Sequence, residues 1–356
     1  MRRRLPLLLL ALLLALVPAV PAAALDKGLQ DDAMLHSPDP KVREAFWRDV
    51  RAAGVRSVRT LVRWEGAHRR VDPAVLAVLR QAGQDARQAG ARLMVGVYAP
   101  LARHHPVSWR MSAGGYRRYR DFMRSLAAGL REGEVPLAAV MTFNEPNFRS
   151  MWPQRRASDW VRLSNLGYAA LKRELPDVPV LVGDTSSQAS AGGGSTMPGA
   201  FLRRALCVDA GGRSLRPTAS CRTRLRADGF AIHAYDFLRP DPRTPVADRD
   251  EWTIGNLAAV GRQLRALARA GRITPAAARN LHVTEYALRT SGARDIPRAA
   301  AARYLRSAWA AARRAGVRTF VWYQLRDPAG DHRWTSGLRG THGTARPAWD
   351  AFRRLR

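Results

Sequence analysis

Short apolar runs alternate with longer amphipathic ones along most of the chain. The apolar runs are Gly28–Met34, Val55–Val62, Arg92–Tyr98, Ala138–Phe143, Val178–Val182, Gly229–His233, Leu281–Thr284 and Arg318–Trp322. They are rich in Val, Leu, Ile and Phe, and several are apolar almost throughout, as strands covered on both faces should be. Between them lie helix candidates at Pro40–Ala53, Pro73–Ala89, Gly115–Leu130, Ser158–Leu175, Pro198–Leu206, Ile254–Ala270, Pro297–Ala315 and Ala345–Arg353. Asp39 and Asp72 stand where caps belong, and Gly54, Gly90, Gly271 and Gly316 close four of the helices. In Pro73–Ala89, Val75, Leu76, Leu79 and Ala82 recur at helical spacing. Eight strand–helix units in sequence predict a (β/α)8 TIM barrel of the α/β class, built as a single domain. A doubly wound open sheet is the rival, but Gly28–Met34 is not followed by the glycine-rich phosphate loop that such sheets carry.

The N-terminus stands outside this pattern. Arg2, Arg3 and Arg4 precede an apolar run from Leu5 to Val17, and Pro18-Ala-Val-Pro-Ala-Ala-Ala24 follows. A basic start, a short apolar run and small residues at the end read as a secretory signal peptide over 1–24. The run is shorter than the roughly 20 residues of a spanning helix, which argues against a retained anchor. The barrel then occupies 25–356. A secreted, extracellular protein is expected, with no integral membrane segment after cleavage and a monomeric state.

The formal net charge is +30, or +27 once the three signal arginines are removed. Such a charge raises the question of a polyanionic partner. Arginine is spread over nearly every helix and loop instead of forming one stripe, and lysine occurs only at Lys27, Lys41 and Lys172. That is the amino-acid usage of a GC-rich genome, and no nucleic acid is expected as partner. Cys207 and Cys221 are the only cysteines. In an exported chain they are expected to pair, closing a short loop worth on the order of 3 kcal/mol. Without nearby histidines they make a poor zinc site, and adjacent His104 and His105 rarely chelate one ion. No metal and no cofactor are expected.

Side chains at the C-terminal ends of barrel strands converge on one mouth. The fourth strand ends Met-Thr-Phe-Asn144-Glu145-Pro146, and the seventh ends Val-Thr284-Glu285-Tyr286. Two carboxylates at one mouth are what cleavage of a glycosidic bond requires: one donates a proton to the leaving oxygen and one faces the anomeric carbon. An unpaired charge following so apolar a strand as the seventh would be costly without a task.

This pattern resembles the clan A glycoside hydrolases, in particular the cellulase-like family five and its relatives. The resemblance implies that Glu145 is the general acid/base and Glu285 the nucleophile of a retaining O-glycoside hydrolase acting on a polysaccharide or oligosaccharide. Asn144 would bond the sugar 2-hydroxyl. Arg59, on the second strand, would steady the nucleophile, with Arg63 on the same strand as its rival. Strand six ends Ile232-His233-Ala234-Tyr235, similar to the family's His-x-Tyr, and Tyr235 would bond Glu285. Trp322 resembles the sugar-stacking aromatic of strand eight. Strand three ends Val97-Tyr98-Ala99-Pro100, where the family places a histidine. Trp64, Trp109, Trp152 and Trp334 are loop candidates for sugar subsites, and Asp31 and Asp32 for sugar hydroxyls. A transglycosylase, a non-catalytic wall-associated carbohydrate-binding barrel, or a polyanion binder are the competing classes. The retaining reading predicts carboxyl groups about 5–5.5 Å apart.

Overall fold

The computed structural model describes residues 24–100, 112–187, 194–209, 214–217, 223–290, 296–330 and 334–356. Eight parallel strands close into a barrel in sequence order: β1 Asp26–Gln30, β2 Ser57–Arg63, β3 Arg92–Tyr98, β4 Leu137–Met141, β5 Val180–Thr185, β6 Gly229–His233, β7 Leu281–Tyr286 and β8 Thr319–Tyr323. β8 pairs back onto β1 over five residues, Asp26↔Thr319 to Gln30↔Tyr323, so no sheet edge is left open. The predicted fold class is therefore the observed one. Helices follow the strands and cover the outside.

Local chemistry accounts for the helix limits. Asp39 caps Pro40–Ala53 by accepting from the Lys41 amide, and Asp72 caps Pro73–Gln88 through the Ala74 amide. Both helices begin with proline, whose missing N–H costs nothing in a first turn. Gly54 ends its helix at φ +62°, a left-handed conformation open to glycine. The first predicted strand shifts. It ends at Gln30, because Asp31 accepts the Met34 amide and starts the helical turn Asp32–Leu35. The capping carboxylate overrides the apolar Met34-Leu35. A short helix, Pro275–Arg279, is an addition between Leu257–Arg269 and β7.

Two apolar layers result. A small inner cluster fills the barrel with Met94, Ala139, Met141, Leu181, Ala231 and Val321. A much larger outer cluster, including Phe46, Val182, Phe230, Tyr286, Phe320 and Trp322, joins strands to helices. Gly28 lets β1 approach β8: a Cβ there would lie 2.7 Å from Val321 Cγ2. Among the described residues no helix is long and apolar enough to cross a membrane. The predicted signal peptide falls outside the described residues except for Ala24, and His104, His105, Trp109 and Cys221 also lie outside them.

Candidate active site

Above the inner layer the barrel interior turns polar and charged. Arg59, on β2, is fully buried. Its Nη1 donates to Glu285 Oε1 and to Gln30 Oε1, each at 2.5 Å, and its Nη2 donates to Asp184 Oδ2 at 2.5 Å and to Asn144 Oδ1 at 2.8 Å. One guanidinium thus ties the ends of β1, β2, β4, β5 and β7 together, a task suited to its planar fork of donors. Burial works to lower the Arg59 pKa, but the charges of Asp184 and Glu285 outweigh it and the group stays cationic. Arg63 lies away from this network, more than half exposed and paired with Glu65.

Three irregularities shape the mouth, and each falls beside a titratable side chain of this network. The β7–β8 register shifts between Val283 and Tyr286, which brings Glu285 inward after the inward-facing Thr284. The β6–β7 register shifts beside His233, which pairs with Glu285. The β5–β6 register shifts between Gly183 and Thr185, with Gly183 at φ +92° and Asp184 at φ +47°. Glu145 also has positive φ, +47°, and its amide donates to the Asp184 carbonyl at 2.8 Å. For non-glycine residues this region is uncommon and costs strain, and such strain collects at functional sites. Asn147 holds the adjoining loop in place: its Nδ2 donates to the carbonyls of Ser186 and Thr196, and its Oδ1 accepts the Ser186 amide.

Glu145 and Glu285 face each other across His233. One carboxylate oxygen of each and a His233 ring nitrogen all lie within 4.8 Å of one another. His233 Nδ1 is 2.9 Å from Glu145 Oε1 and 3.4 Å from Glu285 Oε2, while Nε2 is 3.2 Å from Asp184 Oδ1. Burial disfavours the imidazolium, but Glu285 and Asp184 outweigh it, and the His233 pKa is pushed up to about 10. The Asp184 carboxyl is also penalised by burial, yet Arg59 and His233 hold it well below the usual carboxylate range. Thr284 donates to its Oδ1 at 2.5 Å.

Tyr235 donates to Glu285 Oε2 at 2.8 Å. Burial first, and then the Glu285 charge, raise the Tyr235 pKa far above that of a free phenol, so the hydroxyl keeps its proton. Glu285 therefore has Arg59 on one oxygen and Tyr235 on the other. Arg59 and His233 thus stand against the carboxyl groups of Asp184 and Glu285 in one buried network. The cluster is ill suited to a metal ion. A ligating histidine must offer a lone pair, whereas both ring nitrogens of His233 face carboxylates and the guanidinium of Arg59 stands alongside.

Trp322 is a correction. It is 1% exposed and lies on the outer face of β8, its ring 5.9 Å from Tyr286 and its Nε1 donating to the Ser336 carbonyl. Inner-layer Val321 precedes it, so alternation turns Tyr323 inward, opposite Gln30 of β1. Burial, and then Glu285, raise the Tyr323 pKa above the phenol range. Tyr323 therefore occupies the position expected of Trp322. Next to it the mouth has an aromatic wall. Phe237 stacks on Tyr235 at 5.3 Å, and Trp334 meets Tyr235, Phe237 and Tyr323 edge-on at 5.5, 5.6 and 6.1 Å. Trp64 and Trp152 are fully buried packing residues against Tyr119 and Phe143. Asp31 is spent on the helix cap and the Arg326 amide, and burial pushes its carboxyl up to about 6. Asp32 accepts from Gln30, Thr60 and the Leu61 amide.

No family model and no curated protein matches the sequence. Solved structures do share its fold. A family 39 glycoside hydrolase from the gut symbiont Bacteroides cellulosilyticus WH2 superposes with a TM-score of 0.66 at 19% identity, over 94% of this chain and 64% of that one. The exo-β-1,4-mannosidase Op5Man5 from Opitutaceae bacterium strain TAV5 gives 0.60 at 16% identity, over 92% of this chain and 58% of that one. A structure from a study of two fungal β-1,4-galactanases gives 0.62 at 15% identity, over 93% and 100%. This chain thus spans less than two thirds of the first two proteins. At such identities the likeness is one of fold.

Proposed function

We infer that the chain is a retaining O-glycoside hydrolase of the clan A type, acting on a polysaccharide or oligosaccharide by double displacement. The observation that carries this reading is the opposed pair Glu145 and Glu285, whose nearest oxygens lie within 4.8 Å. That approach accords with the retaining spacing of about 5–5.5 Å better than with the wider inverting one. The surroundings of the two carboxylates support a division of roles. Arg59 and Tyr235 stabilise an ionised Glu285, as a nucleophile needs. Glu145 lies on the Asn-Glu-Pro turn and gives its proton to the leaving oxygen, then takes one from water in the second step. Asn144 has its Oδ1 held by Arg59, which leaves its Nδ2 donors for a sugar hydroxyl. The faces of Tyr323, Phe237 and Trp334 suit the C–H faces of a pyranose. Structural neighbours named as glycoside hydrolase, mannosidase and galactanase support the same class.

Turnover of a panel of β- and α-linked polysaccharides and aryl glycosides tests the reading, with Glu285→Ala as control. Hydrolysis of one linkage type by the wild type, abolished in the variant, is expected. Binding without turnover across the panel would instead describe a non-catalytic carbohydrate-binding barrel. Product analysis with excess acceptor sugar separates hydrolysis from transglycosylation. Export through cleavage after Ala24 and a Cys207–Cys221 bridge belong to the same proposal. Mass measurement of the exported protein before and after reduction reads both.

A further inference from the structure

Asp184 has no counterpart in the pattern that suggested the two glutamates, yet it is among the most constrained groups in the molecule. It is fully buried, has positive φ, and accepts from Arg59 and Thr284 while facing His233 Nε2 at 3.2 Å. The other ring nitrogen, Nδ1, stands between Glu145 Oε1 and Glu285 Oε2, at 2.9 and 3.4 Å. We propose that Asp184 is a positioning residue that keeps His233 a donor at both ring nitrogens, so that one Nδ1–H is shared between the two carboxylates of the reaction.

The groups facing His233 come from every side of the barrel: Glu145 after β4, Asp184 on β5, Glu285 on β7, Arg59 on β2 and the un-ionised Tyr235 two residues on. Without Asp184 the ring needs only one proton, and Nε2 would become an acceptor beside the Arg59 guanidinium, 3.4 Å away. With Asp184, Nε2–H has an anionic acceptor and Nδ1–H is free to serve the glutamates. Resting on the glycosidase reading, the consequence is a constant field. In the first step Glu285 forms its bond to the anomeric carbon and loses its charge. The bond to the leaving oxygen breaks with its electron pair, and Glu145 passes its proton to that oxygen and gains a charge. The Nδ1–H contact to Glu145, 2.9 Å long in the resting site, strengthens as that carboxyl gains charge, while the 3.4 Å contact to Glu285 weakens as Glu285 loses its own, and His233 keeps its proton throughout. A donor already in place at both ends of a charge transfer lowers the reorganisation the step requires.

The test is a nitrogen-15 NMR titration of histidine-labelled protein, with the His233 signals identified by their loss in His233→Gln. In the wild type both His233 ring nitrogens are expected to remain protonated through pH 8. In Asp184→Asn the ring is expected to lose one proton at least a full pH unit lower. Turnover of the variant should fall on the order of 10–100-fold at pH 8, the worth of a charge-assisted hydrogen bond, with KM little changed and recovery toward pH 5–6 as the ring reprotonates. A wild-type His233 that is neutral at pH 8, or a titration unmoved by Asp184→Asn, overturns the proposal. Should Asp184→Asn fail to fold, a neutral wild-type His233 at pH 8 still overturns the proposal. Intact double protonation in a protein that turns over no glycoside supports the Asp184–His233 arrangement and defeats the glycosidase reading instead.

Discussion

Arg59 Nη1, on β2, reaches Glu285 Oε1, on β7, at 2.5 Å, from 226 residues away in sequence. This contact fixes the nucleophile candidate from below while Tyr235 fixes it from the side. It also closes the polar layer that caps the inner apolar one, so Arg59 ties the barrel interior together as well as the candidate site.

That double duty distinguishes Arg59 from Arg63. Replacing Arg59 with Ala leaves Asp184 and Glu285 without their shared cation inside the barrel. Breaking a buried pair from one side costs about 3–5 kcal/mol. Denaturant unfolding should show a loss of that order, and turnover should collapse. Arg63→Ala removes an exposed pair worth at most about 1 kcal/mol and should leave both measurements near the wild type. Equal effects from the two substitutions would contradict the placement.

Tyr323 and Trp322 should separate along a different line. Tyr323→Ala removes an aromatic face at the mouth, worth roughly 0.5–1.5 kcal/mol. KM should rise about 2–10-fold, with a smaller loss of thermal stability than Trp322→Ala gives. Trp322→Ala empties a buried site between β8 and the outer layer and should cost about 3–5 kcal/mol in unfolding free energy. Steady-state kinetics beside thermal melts of both variants checks this. A KM effect confined to Trp322→Ala would return the sugar platform to that residue.

The pH dependence of stability has a defined sign at His233. Its folded pKa, about 10, lies above the ordinary histidine value of 6.5. Between these values the folded state holds a proton that the unfolded chain has released. The stability contributed by His233 is therefore complete below about pH 6.5 and is lost as pH rises through about 10. Urea midpoints of wild type and His233→Gln, measured from pH 6 to 10, should differ most at the acid end and converge at the alkaline end. A difference that grows with rising pH would contradict the assignment.

The sequence shows the fold through simple periodicities, and the site only in part. Eight apolar runs and their capped helices locate all eight strands because burial on both faces forces the pattern. Glu145 and Glu285 are legible because each ends such a run. Asp184 is hidden by parity. Leu181 faces the barrel interior, so simple alternation turns position 184 outward, and only the register shift at Gly183 to Thr185 brings it in. No residue pattern on the chain announces that shift beyond Gly183 itself. Trp322 is the opposite case. The same alternation, counted from Val321, points to Tyr323, whereas the family resemblance points to the tryptophan beside it. At β1 the paired acids Asp31-Asp32 were a cap signal, which marks where the strand stops.

The central claim is a double displacement with Glu145 as acid/base and Glu285 as nucleophile, and azide rescue tests it most directly. General acid–base catalysis is worth about 10²–10⁴-fold, so Glu145→Ala should be slow on ordinary glycosides. A dinitrophenyl glycoside needs no proton on its leaving group and should still form the glycosyl-enzyme, which then stalls for lack of a base. Azide needs no base, and its addition should restore turnover and yield a glycosyl azide with the anomeric configuration of the substrate. Glu285→Ala, without a nucleophile, should give no product of retained configuration under any condition. A glycosyl azide of inverted configuration from Glu145→Ala, or rescue confined to Glu285→Ala, would contradict the assignment of the two glutamates.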